Sequence, residues 1–203
     1  MYRSKSVLRD AALASVIYLE RAVKVGSGDI PALSALLQNP RSAPLHVLEL
    51  GSGCGIVGIA LAEMLPQCLV LLTDLPEVEG IITRNISAAQ PATTSNVEFQ
   101  TLDWDEPDLN DVCSGSLDLI LISDCTYNAD SLPALVSVLG QLTQRSPQAL
   151  VLVALKRRHE SEAVFFDLMQ SVGLCSQAIT SLSLPSQHGD SDRVELYCYK
   201  KQK

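Results

Sequence analysis

The chain has few of the residues that hold metal ions or tie small proteins together. Its three histidines, His46, His159 and His188, are far from one another and from any cysteine pair. The six cysteines (Cys54, Cys68, Cys113, Cys125, Cys175 and Cys198) form no CxxC spacing. Most of them fall in apolar runs, where Cys behaves as a small hydrophobe. No metal site is expected, and the thiols read as those of a reduced, intracellular protein. No apolar run approaches the roughly 20 residues that span a bilayer. Arg3, Lys5, Arg9 and Asp10 precede only a short apolar stretch, so no signal peptide and no membrane attachment are expected. Cations are the scarcer charge, 15 Lys plus Arg against 23 Asp plus Glu, for a net charge of -8. The only dense basic runs are Lys156-Arg157-Arg158 and the tail from Lys200 to Lys203. Such a surface matches nucleic-acid phosphates poorly, and suits a basic protein partner or a cationic small molecule. The expected location is the cytoplasm, with the nucleus as alternative.

What is present is a core. Of 203 residues 47% are hydrophobic, enough for one globular domain and too many for a disordered chain. A helical face runs from Ser4 to about Lys24, and a short helix is expected over 31–37. Leu45 to Leu50 reads as a buried strand, Ile56 to Met64 as a helix closed by Pro66. Strands follow at 69–73, 97–101, 117–123 and 149–155, with helices at 77–89, 132–144 and 159–172. Weaker strands are expected at 176–184 and 193–200, separated by the loop PSQHGDSD. Runs of Val, Ile and Leu alternating with helices predict parallel βαβ units covered on both faces. The expectation is one α/β domain: a doubly wound, Rossmann-like seven-stranded sheet, mostly parallel with an antiparallel last strand. A helical cap (1–44) precedes the core (45–203).

Chemistry concentrates where these strands end. Glu49 leads the turn Gly51-Ser52-Gly53-Cys54-Gly55 between the first core strand and its helix. Glycines there let a ligand approach the backbone, and the helix start offers unpaired amides. The turn is ExGxGxG rather than the dinucleotide pattern GxGxxG, since Ile56 occupies the third glycine position. No Lys-Ser or Lys-Thr follows, which excludes a phosphate-binding loop. Asp74 ends the second strand, where a carboxylate can accept both ribose hydroxyls. Asp103 and Trp104 follow the third, a carboxylate for an exocyclic amine and an indole for an aromatic face. Ser123 and Asp124 end the fourth, beside the first, and an Asp leaving the run Leu-Ile-Leu-Ile is a site candidate.

In this order, ELGSGCGIVGIALA, LTDLPEV, LDW and DLILISDCTYN resemble the seven-strand S-adenosylmethionine-dependent methyltransferases. More narrowly, the chain is similar to the methyltransferase family 16 protein-lysine methyltransferases, with their Asp-x-x-Tyr motif at Asp124-Cys125-Thr126-Tyr127. The resemblance runs from about Val7 to Tyr199. It implies S-adenosyl-L-methionine as cofactor, S-adenosyl-L-homocysteine as product, and a lysine of a protein such as a translation factor or chaperone as acceptor. Glu49, Gly51, Ser52, Gly53 and Gly55 would wrap the methionine and ribose, Asp74 would take the ribose hydroxyls, and Leu75 would lie against adenine. Asp103 and Trp104 would border the adenine, and Ser123 would face the methionine end with Asp124. Asp124 and Tyr127 would line the lysine channel as catalytic residues. Arg9 stands where relatives commonly carry a Trp. The implied partner is a protein with a basic or lysine-bearing surface, met by a monomer. The competing readings are a methyltransferase for another acceptor (a different side chain, a small amine or RNA) and a non-catalytic module that keeps the fold.

Overall fold

The computed structural model describes residues 10–26, 29–38, 42–110, 112, 115–126, 128–156, 162–184 and 192–202. Arg9, Tyr127, the start of the first expected helix and most of the late loop lie outside them. The elements run α1 (Asp10–Val25), α2 (Pro31–Gln38), β1 (Leu45–Leu50), α3 (Ile56–Met64), β2 (Cys68–Asp74), α4 (Glu79–Ala88) and β3 (Asn96–Thr101). They continue with β4 (Leu119–Ser123), α5 (Leu132–Arg145), β5 (Leu150–Leu155), α6 (Glu162–Ser171), β6 (Leu174–Leu184) and β7 (Asp192–Lys201). The helix expected over 77–89 is divided: Pro76–Val78 form a 3-10 turn before α4 begins at Glu79. Pro76 tolerates that place because the first amides of a helix need no partner within it.

The strands form one sheet in the order β3-β2-β1-β4-β5-β7-β6. β1 to β5 pair in parallel, and β7 enters antiparallel between β5 and β6. This is the expected doubly wound sheet. β4 and β5 are buried along nearly their whole length, as strands covered on both faces must be. One face packs under α1 to α4, with Leu19, Leu33, Leu61 and Ile82 against Val47, Val70, Leu72 and Leu121. The other packs under α5 and α6, with Leu135, Leu139, Phe165 and Met169 against Leu48, Ile120, Ile122 and Val153.

The order places the functional end. The chain leaves β1 toward β2 on one side and returns to β4 on the other, so β1 and β4 are neighbours whose connections diverge. Their carboxyl ends mark the topological switch point, the place where α/β sheets bind ligands. α1 packs across the same edge. Its Asp10 pairs with Lys156, just beyond β5, at 3.2 Å.

Candidate active site

The turn after β1 can be built only with glycine at its bends. Gly51, Gly53 and Gly55 have φ of 63°, 59° and 77°, left-handed backbone that disfavours other side chains. A Cβ on Gly51 would lie 2.6 Å from Cys125 Sγ and 3.0 Å from the Trp104 ring. On Gly55 it would meet Leu72 at 2.7 Å, whereas beside Gly53 the space is open for 4 Å. The turn is therefore packed from below and bare at its middle. The Ser52 amide bonds the Thr73 carbonyl at 3.0 Å, and the Gly55 amide bonds the Ser52 carbonyl at 2.8 Å. The Ser52 hydroxyl is buried with no hydrogen-bond partner among the described residues. An orphan hydroxyl in a bare glycine cradle fits a turn shaped to hold a polar ligand.

Two carboxylates flank this turn in different ways. Asp74 reaches over it from the end of β2: Oδ2 accepts the Gly53 amide at 2.7 Å and Oδ1 the Leu75 amide at 2.8 Å. Each carboxylate oxygen retains a lone pair, so the same group can also accept ligand hydroxyls. Leu75 beside it is 44% exposed. Glu49 points beneath the turn. Its Oε2 accepts the Gly58 amide, one of the unpaired amides of the first turn of α3, at 2.8 Å. Its carbonyl accepts the Thr73 hydroxyl at 2.8 Å. Gly58 is small for this reason: a Cβ would fall 2.5 Å from Leu72, 2.7 Å from Val70 and 2.9 Å from Glu49 Oε2. Glu49 thus anchors α3 to the sheet under the cradle.

Burial raises the Glu49 carboxyl to about 8; the Gly58 bond opposes the rise, and the nearby Asp74 charge adds to it. The folded state therefore holds this proton through a range where the unfolded chain, with an ordinary carboxyl near 4.5, has lost it. Stability from this residue is complete in acid and declines as pH rises through that window to about 8. The melting temperature of Glu49→Gln minus that of the wild type is expected to increase steadily from pH 5 to pH 8. A flat difference in thermal melts across those buffers would show that Glu49 is ionised in the fold.

At the end of β4, the Asp124 amide donates to the Ala154 carbonyl at 2.9 Å, extending the ladder by one residue. Asp124 then turns the chain aside at φ 56°, a conformation Asp tolerates better than most residues. It is 4% exposed. Cys125 next to it forms the floor under Gly51, its thiol 3.4 Å from the Leu50 and Ser123 carbonyls. Burial and the surrounding acids push that thiol far above its usual range, which makes it a filler rather than a nucleophile. Trp104 lies beside Gly51 and packs against the core cluster that includes Cys125. Asp103 accepts the Asp105 amide at 3.0 Å and shapes its own loop.

The structure thus gathers Glu49, the glycine turn, Asp74, Trp104, Ser123 and Asp124 at one edge of the sheet, while Tyr127 lies outside the described residues. Sequence reasoning passed over Ser15, Gly58, Thr73 and Cys125. Ser15 alone carried a signal, a polar residue in the otherwise apolar stripe of α1. Among the described residues no cluster of His, Cys, Asp or Glu could hold a metal ion.

A doubly wound seven-stranded sheet with a glycine cradle at its switch point is a methyltransferase fold. The precorrin-6y C5,15-methyltransferase of Geobacter metallireducens superposes with a TM-score of 0.62, covering 100% of this chain and 93% of that one at 11% identity. The chain belongs to the lysine methyltransferase family, whose model matches residues 4–172. It is 29% identical to the protein-lysine N-methyltransferase EFM6 of Saccharomyces cerevisiae over 60% of this chain and 53% of that protein. It is 27% identical to the protein N-lysine methyltransferase METTL21A of Mus musculus over 98% of this chain and 77% of that protein. It is 34% identical to the UPF0665 family protein C23C4.06c of Schizosaccharomyces pombe over 60% of this chain, and spans only 36% of that protein and 53% of EFM6.

Proposed function

We propose that the chain is an S-adenosylmethionine-dependent protein-lysine N-methyltransferase. The observation that carries the reading is the meeting, at one switch point, of the bare glycine cradle with Asp74 on one side and a buried Asp124 on the other. Gly51, Ser52, Gly53 and Gly55 hold the amino-acid and ribose parts of the cofactor, with Glu49 fixing the cradle from below. Asp74 accepts the ribose hydroxyls, and Leu75, Asp103 and Trp104 border the base. Ser123 faces the methionine end.

Bound S-adenosylmethionine supplies a sulfonium methyl, taken by the lone pair of a neutral lysine amine while the carbon–sulfur electron pair returns to sulfur, leaving S-adenosylhomocysteine. The chain's own task is to align the amine and to favour its neutral form. Deprotonating a lysine near 10.4 costs about 4–5 kcal/mol at neutral pH. An apolar channel and the positive sulfonium lower that cost, while Asp124 draws the lysine side chain in and orients its amine, its role being alignment rather than deprotonation. Tyr127, which lies outside the described residues, is the second residue that the family resemblance assigns to this channel. The net charge of -8 fits acceptors with a basic or lysine-bearing surface and argues against RNA; the proposed setting is the cytoplasm and the proposed state a monomer.

Calorimetric titration with S-adenosylmethionine and S-adenosylhomocysteine tests the cofactor, with micromolar binding expected. A labelled-methyl screen of lysate proteins then tests the acceptor, with methyl-lysine expected by mass spectrometry. Absence of binding by a folded sample overturns the enzyme reading, and label on another side chain or on RNA overturns the acceptor.

A further inference from the structure

α1 presents Ala11, Ala14, Tyr18, Leu19 and Ala22 to the sheet, and Ser15 lies in the same stripe, 1% exposed. Alanine at its neighbours shows that a small apolar side chain packs there. The Ser15 hydroxyl bonds the Ala11 carbonyl one turn back at 2.8 Å, and its oxygen also lies 3.0 Å from the Ser123 hydroxyl at the end of β4.

A hydroxyl has one proton. A carbonyl can only accept, so the Ser15 proton is the one in its bond to Ala11. Both contacts are satisfied together only when Ser123 donates to Ser15, which commits the Ser123 proton to α1. What the half-buried Ser123 retains toward the switch point is lone pairs. On the methyltransferase reading, Ser123 stands at the methionine end, which carries an ammonium that needs acceptors and a carboxylate that needs donors.

We infer that Ser15 is a positioning residue: by holding the Ser123 proton it makes Ser123 an obligate acceptor, selective for the ammonium group of the cofactor. Without Ser15 the Ser123 hydroxyl is free to turn and can donate to the carboxylate equally well. α1, though remote in sequence from the glycine turn, thereby sets the polarity of one wall of the cofactor site.

The test is calorimetry on the full chain as wild type, Ser15→Ala, Ser123→Ala and the double variant. The ligands are S-adenosylhomocysteine and its analogue lacking the amino group. Ser15→Ala should weaken S-adenosylhomocysteine about fivefold, the scale of one hydrogen bond. The same variant should change affinity for the desamino analogue by less than about twofold. In the Ser123→Ala background, Ser15→Ala should have no further effect, because it acts through the hydroxyl already removed. Equal weakening of both ligands, or penalties that multiply in the double variant, would assign Ser15 to packing alone and overturn the inference. A folded wild type that binds neither ligand instead removes the methyltransferase reading, and this inference with it.

Discussion

Asp124→Asn is expected to fold, to bind S-adenosylhomocysteine within about threefold of the wild type, and to lose methyl transfer by at least about 100-fold. On the proposed function the size follows from losing a buried carboxyl group that orients the lysine amine. Asn is the informative substitution because it shares with Asp the tolerance for left-handed backbone, and position 124 has φ 56°. Alanine would add backbone strain to the loss of charge, and the two effects could not be separated. Glu would keep the charge and fail differently. It is less suited to the left-handed region, which costs ordinary residues about 1–2 kcal/mol, and its extra methylene would enter a site already 4% exposed. Single-turnover transfer to a lysine-bearing acceptor, with calorimetry alongside, checks this. Full turnover in Asp124→Asn would remove Asp124 from the chemistry.

The second large effect belongs to the cradle. Gly51→Ala places a methyl 2.6 Å from Cys125 Sγ and 3.0 Å from the Trp104 ring while holding a left-handed φ of 63°. Overpacking and backbone strain together cost about 3 kcal/mol, a fall in Tm of roughly 10 °C for a chain of this size. Cofactor binding should fall below detection, since the displaced segment is the turn itself. The clash and the strain can be separated. Adding Cys125→Ala removes the closest contact, so the double variant should recover part of the lost Tm but not the part owed to φ. Calorimetric melts of the two single variants and the double variant decide it. Additive losses would mean that Cys125 and position 51 do not compete for the same space.

The centre of the sheet was legible because β1, β2, β4 and β5 are short, mostly apolar runs bounded by turn residues, whereas the edge strand β3 alternates polar and apolar residues. β1, β4 and β5 carry Leu-Glu-Leu, Leu-Ile-Leu-Ile and Val-Leu-Val-Ala-Leu, and strands buried on both faces need little else to be recognised. The glycine turn was legible because its spacing states a backbone requirement directly. The direction of Glu49 was not. ExGxGxG places a carboxylate near the cradle, but only the approach of α3 decides that it turns beneath and bonds Gly58. Cys125 under Gly51 and Ser15 against Ser123 join residues 74 and 108 positions apart, and no local period encodes such meetings. Asp124 lies between these cases. Its charge at the end of an apolar strand marked it, whereas its left-handed backbone depends on where the chain must go next. Division of the 77–89 helix also escaped, since Pro76 suits the first turn of a continuous helix as well as a separate 3-10 turn.

The closeness of α3 to the sheet bears on how such an enzyme would be throttled. Position 58 has no room for a side chain, and the turn is bonded from below before any ligand arrives. A mould that is already rigid grips whatever shares its shape, and the spent by-product differs from the donor by one methyl and one charge. On the proposed reading Gly51, Ser52, Gly53, Gly55 and Asp74 meet the amino-acid and ribose parts, which the two molecules share. Throughput would then follow the ratio of fresh to spent cofactor around the protein, and a cell that clears the by-product slowly would slow this reaction without touching the acceptor.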